Sequence, residues 1–225
     1  MAAVSLLGIT INTTAGAKTV TATPAVGDLI LIFVVVSNDS TFSAPTDNQS
    51  GTYTQIGSTL NNISTIYGAW YVRDALIPAA TSTIFTLSNP GSDTGGGLAV
   101  IKVTGMTKAG SSAVRQSKIG GQGGSFATPV ATGSWTSAKL TTNPVVGAVI
   151  NSSNPAGLTA TTSYNELLDT GFNTPTTGVE IQKIDSGDTT STMSWGSGSG
   201  SLWVCMGVEL DASASASQGN MFLMF

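Results

Sequence analysis

The chain contains three glutamates, Glu166, Glu180 and Glu209, and a pair of carboxyl groups is what an enzyme needs to hydrolyse a glycosidic bond. Glu209 shares a predicted strand face with Trp203, and Glu180 lies in the strand-like segment 179–182, so the two could face one cleft. A glycosidase holds its carboxyl groups about 5–10 Å apart with separated pKa values. No compact motif places two acidic residues together on one strand. We therefore expect solvated strand carboxylates and no catalytic residue.

Four aspartates could suggest a calcium site: Asp39 with Asp47, and Asp185 with Asp188 in Asp-Ser-Gly-Asp. A calcium loop places its acidic residues at alternate positions before an invariant glycine, and neither group has that spacing. Asp and Gly are also the ordinary residues of tight turns. The sequence therefore predicts turns here, with no metal and no other cofactor.

The composition excludes several kinds of chemistry. The chain has no histidine and one cysteine, so a zinc site, an imidazole-based triad and an intramolecular disulfide are all excluded. Only 9% of the residues are charged, against about 25% in a typical domain, and the eight Lys and Arg residues are scattered. Nucleic-acid binding requires clustered cations, so we expect none. Cys205, in an apolar segment, is expected to be buried and inert.

Aromatic side chains are the candidates for binding sugars, because an aromatic ring can stack on the apolar face of a sugar. Tyr67 and Tyr71 share a strand face beside Arg73, and Trp135 lies in a loop-rich segment. Aromatic residues on strands more commonly belong to a core or an interface. Both interpretations stay open at this point.

The elements that must position these residues are strands. No long segment has apolar residues at helical spacing, Gly and Pro interrupt every stretch, and Thr, Val and Ile dominate. Turn residues separate many short segments, which is typical of antiparallel sandwiches and barrels. The predicted strands are 4–11, 17–23, 28–37, 52–58, 63–73, 81–88, 97–104, 145–151, 177–184, 190–195 and 201–210.

Alternation along the strands assigns their faces. In the last strand Val204, Met206 and Val208 share one side, which we predict to be the core side. In 63–73, Trp70 lies on the side opposite Tyr71. The segment 29–36 is apolar on both sides, so we predict a central strand covered by the other sheet on one face and by a loop, arm or neighbouring subunit on the other.

The chain also shows a faint internal repeat. Thr23–Ile30 is similar to Asn143–Ile150, and 82–85 with 97–101 is similar to 191–195 with 201–205. Two successive sets of about four strands are what a jelly roll of two Greek keys contains, although Thr/Val-rich strands resemble each other without any repeat.

The segment 105–140 between the two halves is rich in Gly, Ser and Thr, with Gly120-Gly121-Gln122-Gly123-Gly124 at its middle. It is expected to be a surface excursion or a pair of weak edge strands rather than a linker, because each half is too short to bury a core alone. The sequence thus predicts one all-β domain, a jelly-roll-like antiparallel β-sandwich over residues 1–211.

The C-terminal segment 212–225 is predicted to be a flexible docking arm. An Ala/Ser spacer precedes five apolar residues, Met221, Phe222, Leu223, Met224 and Phe225. An apolar group of this kind marks an interaction site, whereas a frayed end would carry no function. We expect it to bind a neighbouring copy of the chain or a partner protein.

Several segments together carry a family resemblance. Val26-Gly27-Asp28 precedes an apolar strand, Thr46–Thr54 and Gly68–Val72 follow, and Leu202-Trp203-Val204 opens the last strand. Over about residues 20–211 the chain resembles the jelly-roll-like β-sandwich modules of bacteriophage structural proteins and bacterial surface proteins. The resemblance implies a non-catalytic module that decorates a particle or a surface.

We therefore expect a non-enzymatic phage virion structural protein, an accessory decoration, cement or tail-associated module that binds other virion proteins, itself, or both. The alternative is a carbohydrate-binding or adhesive module for attachment to a host surface. The first cation is Lys18, so no basic region of a signal peptide is present, and the longest apolar run is far shorter than a membrane helix. We expect synthesis in a host cytoplasm, incorporation into a virion and no membrane partner.

Overall fold

The computed structural model describes residues 1–62, 65–88, 93–121, 130–152, 157–196 and 202–212. Within these ranges every strand pairing is antiparallel, and the one helical element is a 3-10 turn at Gly110–Ala113. The prediction of an all-β antiparallel sandwich is therefore confirmed. No helix in the same ranges is long and apolar enough to cross a membrane. The strands are β1 (Ala3–Asn12), β2 (Lys18–Ala22), β3 (Leu29–Ser37), β4 (Thr46–Asp47), β5 (Tyr53–Asn62), β6 (Ile66–Arg73), β7 (Thr83–Leu87), β8 (Gly96–Thr104), β9 (Val114–Gly120), β10 (Val130–Ala131), β11 (Val145–Asn151), β12 (Asn165–Asn173), β13 (Thr176–Ile184), β14 (Ser194–Trp195) and β15 (Trp203–Leu210).

Two five-stranded sheets form the middle of the molecule. The strand order is β1-β8-β3-β6-β5 in the first sheet and β12-β13-β11-β15-β9 in the second. The sheets pack face to face around a central core, to which Phe33 and Trp70 contribute from one side and Ile150 and Met206 from the other. The Phe33 and Trp70 rings lie 5.0 Å apart at a tilt of 50°, a favourable arrangement for two aromatic rings.

Each five-stranded sheet is also covered on its outer side by a smaller sheet. The first lies under β2-β7-β4, where Phe85 and Leu87 fill an outer core. The second lies under β10-β14, where Trp195 and Val130 fill the corresponding outer core. The fold therefore has four layers of sheet and three apolar interiors.

This layering confirms the predicted faces. Leu31 and Phe33 of β3 face the central core, while Ile32 and Val34 face the outer core, so the strand is covered on both sides as its sequence indicates. The second cover is a small sheet of the same chain, so the expectation of a loop, an arm or a neighbouring subunit at this face is wrong. β15 is likewise an interior strand, with Val204, Met206 and Val208 on its central side.

The second half of the chain repeats the first, except that β4 has no counterpart among the described residues. If β9 corresponds to β1, β11 to β3, β12 to β5, β13 to β6 and β15 to β8, both five-stranded sheets have the same order. In the small sheets, Val20 pairs with Phe85 and Val130 pairs with Trp195, which makes β10 and β14 the counterparts of β2 and β7. We refer to residues 1–107 and 108–212 as the two halves.

The two halves are related as in a symmetric dimer. Across the central core β1 contacts β12, and β5 contacts β9. Because β9 corresponds to β1 and β12 to β5, these are the same contact made twice, which is the property of a two-fold interface. We call the two contacts the β1/β12 seam and the β5/β9 seam.

The faint sequence repeat identifies the right strands but the wrong register. It aligns Leu29 with Val149, yet Leu29 faces the central core and Val149 an outer core. Alternate strand residues point to opposite faces, so the true alignment differs by an odd number of positions. Ser37 N–H donates to the Gly95 carbonyl and Ser152 N–H to the Leu202 carbonyl, so β3 and β11 end in the same way. This match makes Val34, which also faces an outer core, the counterpart of Val149.

Two strands, β4 and β12, lie outside every segment for which the sequence indicates a strand. β12 was not predicted, because a bulge between Glu166 and Leu168 brings two leucines together and interrupts the alternation. In the segment 105–140, β9 forms a sheet edge and β10 joins the small sheet, which is the edge-strand alternative. Residues 122–129 of that segment lie outside the described ranges.

Replacing Phe33 by alanine should lower the free energy of unfolding by about 3–5 kcal/mol, because the ring is 1% exposed and packs on Trp70 in the central core. Urea denaturation followed by tryptophan fluorescence measures the loss. The control is Val26→Ala, at a side chain 65% exposed, which should change stability by less than about 0.5 kcal/mol. Equal losses for both variants would contradict the central position of Phe33.

Candidate functional site

Glu209 is a structural carboxylate rather than the solvated one that the sequence suggests. The side chain is fully buried on β15. Its Oε2 accepts hydrogen bonds from Arg115 Nη1 at 2.7 Å and Gln116 Nε2 at 2.6 Å. Its Oε1 accepts from the Leu140 backbone N–H and from Asn143 Nδ2, both at 2.9 Å. Four donors hold this group, so it fixes the loop before β11 to the edge strand β9.

Glu180 is also buried, but its environment is the opposite. Neither carboxyl oxygen has a hydrogen-bond partner among the described residues. Burial, followed by the negative charges of Glu166 and Asp169, raises the pKa of Glu180 to about 8. Asp169 lies directly opposite on β12. Glu180 is therefore protonated in neutral solution, and the expectation of a solvated carboxylate is wrong for both glutamates.

The two glutamates do not share a cleft. Glu180 is opposite Val149 of β11 and Glu209 is opposite Val145, so they are separated by two strand spacings and four residues. Strand geometry puts their Cα atoms about 16 Å apart, well beyond the separation of a glycosidase pair. Glu180 instead lies beside Asp169 and Glu166, but it is 0% exposed and lines none of the three hollows described below.

Asp47, Tyr53 and Arg73 form a buried cluster in the first half. Asp47 Oδ2 accepts hydrogen bonds from Arg73 Nε and from the Tyr53 hydroxyl, each at 2.8 Å. Its Oδ1 accepts from the backbone N–H groups of Gln49 at 2.8 Å and Gly51 at 2.9 Å. Burial alone would raise the pKa of Asp47, but these hydrogen bonds outweigh it and lower the pKa. The ionised carboxylate therefore joins β4, β5 and β6.

The second half contains the same cluster built from other positions in the chain. Lys139 Nζ and the Tyr164 hydroxyl both donate to Asp188 Oδ2, and Thr190 N–H donates to Oδ1 at 2.9 Å. Burial opposes ionisation, but the Lys139 and Tyr164 hydrogen bonds hold the pKa of Asp188 below its usual value. Tyr164 corresponds to Tyr53, since Tyr53 is the first residue of β5 and Tyr164 directly precedes the equivalent strand β12. Asp188, however, follows β13, whereas Asp47 belongs to β4.

The aspartates considered for calcium serve these clusters or ordinary turns. Asp39 accepts from the backbone N–H and hydroxyl of Thr41, and Asp185 accepts from Val4 N–H at 2.8 Å and from Lys183 at 2.5 Å. Among the residues that the structure describes, no group of three or more acidic or cysteine side chains is placed to hold a metal ion. Cys205 is buried, and burial raises the pKa of its thiol well above the ordinary value, so the thiolate is strongly disfavoured.

The aromatic residues proposed for glycans do not form an open platform. Tyr71 is only 4% exposed and packs in the outer core of the first half, where burial raises the pKa of its hydroxyl. Tyr67 is half-buried against the same core. Trp135 is half-buried in the second half, with Lys139 Nζ lying 4.9 Å from the centre of its ring. Tyr71 therefore has no ring face for a sugar in this structure.

The hollows on the surface of the described residues include the following three. The first, which we call the seam groove, has a volume of about 200 Å³ and lies between the edge strands β5 and β9, with the 3-10 turn at one end. The second, about 510 Å³, is polar and is lined by Arg115, Gln116, Ser117, Thr136 and Ser137. The third, about 500 Å³, lies where Met1, Gly105, Ser186 and Ala212 meet. The residues lining the seam groove include Thr54, Ile56, Gly57, Val114, Gln116 and Ser117.

The predicted docking residues Met221, Phe222, Leu223, Met224 and Phe225 lie outside the described residues. The last described residue is Ala212, whose backbone N–H donates to Asn143 Oδ1 at 3.1 Å. Asp211 N–H donates to the carbonyl of Ala113 at 2.8 Å. The chain therefore leaves the described fold beside the 3-10 turn and the start of β9.

Comparison with known proteins finds no matching family model, no matching curated protein and no matching solved structure.

The variant Asp47→Ala should lose about 3–5 kcal/mol of unfolding free energy at pH 7, because it leaves the Arg73 guanidinium buried without a counter-charge. Chemical denaturation measures this loss. The matched control is Lys108→Ala, which removes a pair whose side chains are 30% and 24% exposed and should cost at most about 1 kcal/mol. A loss for Asp47→Ala no larger than that of the control would show that the cluster does not stabilise the fold.

The variant Glu180→Gln should become more stable than the native protein as the pH rises. The pKa of Glu180 is about 8 in the folded chain, against an ordinary value of 4.5. At pH values between 4.5 and about 8, the folded state keeps the Glu180 proton that the unfolded state has released. The free energy of unfolding of the native protein therefore falls as the pH increases. The difference in melting temperature between variant and native protein should be near zero at pH 4 and clearly positive at pH 9.

The control for this pH series is Asn165→Gln, at an exposed position of the edge strand β12, because it changes no ionisable group. Its melting temperature should follow that of the native protein from pH 4 to pH 9. Parallel profiles for Glu180→Gln and the native protein would contradict the raised pKa.

Proposed function

We propose that this protein is a non-enzymatic structural module of a bacteriophage virion, an accessory protein that binds neighbouring virion subunits. The confirmed part of this assignment is the all-β sandwich. The virion role rests on the resemblance of about residues 20–211 to phage structural modules and on the distribution of charge described next.

One observation carries the proposal: most of the cationic side chains form salt bridges with carboxylates of the same chain. All eight cations lie in the described ranges, and six of them form salt bridges with carboxylates of the same chain. The pairs Lys18–Asp93, Arg73–Asp47 and Lys139–Asp188 are essentially buried. The surface of the described part of the chain is therefore poor in charge. The cores of protein interfaces are similarly depleted of charged residues, so such a surface suits contact with other subunits.

The same arrangement favours a structural role over a catalytic one. The carboxyl groups of Asp47, Asp188 and Glu209 are each held by several donors, and Glu180 is neutral and enclosed. A general base must reach the proton of a substrate, and a group saturated by its own chain has no free lone pair for that purpose. The buried ionisable groups are thus explained by folding alone.

The C-terminal segment supplies the docking element in this proposal. Residues 212–220 contain no side chain larger than Gln or Asn, and 221–225 are all apolar. A nine-residue spacer can extend over at most about 30 Å, which is enough to reach an adjacent subunit. A single arm binds weakly, because ordering the spacer offsets much of the gain from apolar burial. Strength arises when many copies engage together on a particle.

The alternative function is attachment to a glycan. The polar hollow at Arg115 and Thr136 favours it, since hydroxyl and guanidinium groups hydrogen-bond to sugars. The described residues that line this hollow include no aromatic ring, however, and Tyr71 is buried. The geometry therefore supports protein docking better. Binding to a glycan array that is lost in Thr136→Trp would favour the alternative.

The direct test is to locate the protein in a culture that produces it. Particles are purified on a density gradient, and an antibody against the protein is applied to every fraction. We expect the protein to migrate with the particles and to be depleted from the soluble pool. Recovery from the soluble fraction alone would reject the virion assignment.

A chain that ends at Ala212 should fold normally but lose its attachment to particles. It keeps the Ala212–Asn143 hydrogen bond and the Lys108–Asp211 salt bridge, so its melting temperature should match that of the full chain within about 2 °C. Co-sedimentation with particles that lack the protein should fall at least tenfold. Unchanged co-sedimentation would show that residues 213–225 are not the docking element.

A further inference from the structure

The two seams of the dimer-like fold differ, although the repeat makes them equivalent. The β1/β12 seam packs large aliphatic side chains against the central core, among them Leu6, Ile9 and Leu168. The β5/β9 seam is lined instead by Thr54, Gly57 and Ser117, and it contains the seam groove of about 200 Å³. One seam is closed by apolar side chains, and the other is open.

The strand registers identify the substitution that opens this seam. Leu6 is opposite Ile101 on β8, and Ser117 is opposite Val208 on β15. Val208 is the counterpart of Ile101, because these residues lie opposite Val146 and Leu31, which occupy equivalent positions on β11 and β3. Ser117 therefore occupies the position that Leu6 fills in the first half. A hydroxymethyl group stands where the equivalent seam has an isobutyl group. Gly57, with φ of 66°, keeps β5 near Ser117, since a Cβ there would lie 3.3 Å from the Ser117 hydroxyl oxygen.

The groove has the size and character of an aromatic side-chain site. An engineered protein cavity of about 150 Å³ is known to bind benzene, so about 200 Å³ accommodates one phenyl ring. Ile56, Val72 and Val114 supply apolar walls, and none of the residues lining the groove carries a charge. No side chain of the segment 212–225 is charged either, so inserting one of its phenyl rings there would desolvate no charged side chain.

The end of the described chain lies next to this groove. Asp211 N–H binds the carbonyl of Ala113, and the neighbouring residues Ser111 and Val114 both line the groove. The entrance of the seam groove is therefore about 7 Å, or two residue lengths, from the place where the chain leaves the described fold. The nine-residue spacer reaches up to about 30 Å, far more than the chain's own groove requires. This excess length favours a groove on another molecule.

We infer that the seam groove binds a phenylalanine of residues 221–225 from a second copy of this chain. The inference rests on the docking arm in the proposed function and names its receiving surface. Phe222 and Phe225 are the two aromatic residues of that segment, and each copy then offers one arm and one groove.

Two full-length variants test this pairing. Ser117→Trp fills the groove and leaves the arm intact, while the double variant Phe222→Ala, Phe225→Ala removes the aromatic arm residues and leaves the groove intact. Analytical ultracentrifugation over a concentration series should show that the native chain self-associates and that each variant alone is a monomer. An equimolar mixture of the two variants should form heterodimers, because the arm of the first meets the open groove of the second.

The control is Thr21→Trp, at an exposed position of β2 in the small outer sheet, which should self-associate like the native chain. Thr54→Trp fills the groove from its other wall and replaces Ser117→Trp if the latter fails to fold, as judged by its melting curve. The inference is overturned if a folded groove-filling variant self-associates as the native chain does, if the variant mixture stays monomeric, or if the native chain itself is monomeric throughout. Loss of particle binding on truncation at Ala212 would still support the proposed function in those cases.

Discussion

Burial of the interior strands on both faces is the constraint on which the architecture depends. β3, β8, β11 and β15 each have the central core on one side and an outer core on the other. A strand buried twice needs apolar residues at successive positions, and the outer side must be covered because exposed apolar area of that size is costly in water. The small sheets β2-β7-β4 and β10-β14 provide this cover. The low charge content of the chain follows from the same constraint, since four layers of sheet leave few strand positions in water.

Polar groups in this dry interior are arranged by the same physical rule in both halves. A buried tyrosine hydroxyl needs an acceptor, a buried carboxylate needs a cation, and leaving either alone is expensive. Tyr53 and Tyr164 occupy equivalent positions, yet their carboxylate and cation partners come from different parts of the chain. Each cluster therefore forms because a buried tyrosine hydroxyl needs an acceptor and a buried carboxylate needs a cation. It does not require that the partners come from equivalent positions in the two halves. Glu180 is the exception, and it satisfies the rule by remaining protonated.

The sequence predicts the parts of the fold that depend on local alternation. The double burial of 29–36 and the opposite faces of Trp70 and Tyr71 are visible in the residue pattern, because strand side chains alternate. β12 is not visible, since its bulge breaks the alternation, and the burial of Glu180 depends on layers that meet only in the folded chain. The seam groove cannot be predicted from the sequence for a related reason. Its one signal is Ser117 in place of Leu6, and recognising it requires the repeat in the correct register, which pairing between distant strands reveals.

The difference between the seams affects what kind of assembly the chain can build. A true homodimer of one half would have two identical seams, and any binding site at one would be present at both, so its assemblies would be closed under the two-fold axis. Joining the halves in one polypeptide removes that obligation, because each seam can change independently. The described part of the chain has one open seam, and the segment 212–225 is a second surface of a different kind. The chain is therefore polar, with two unlike surfaces for contact. Subunits that connect head to tail through unlike surfaces form rings when the rotation closes and helical filaments when it does not.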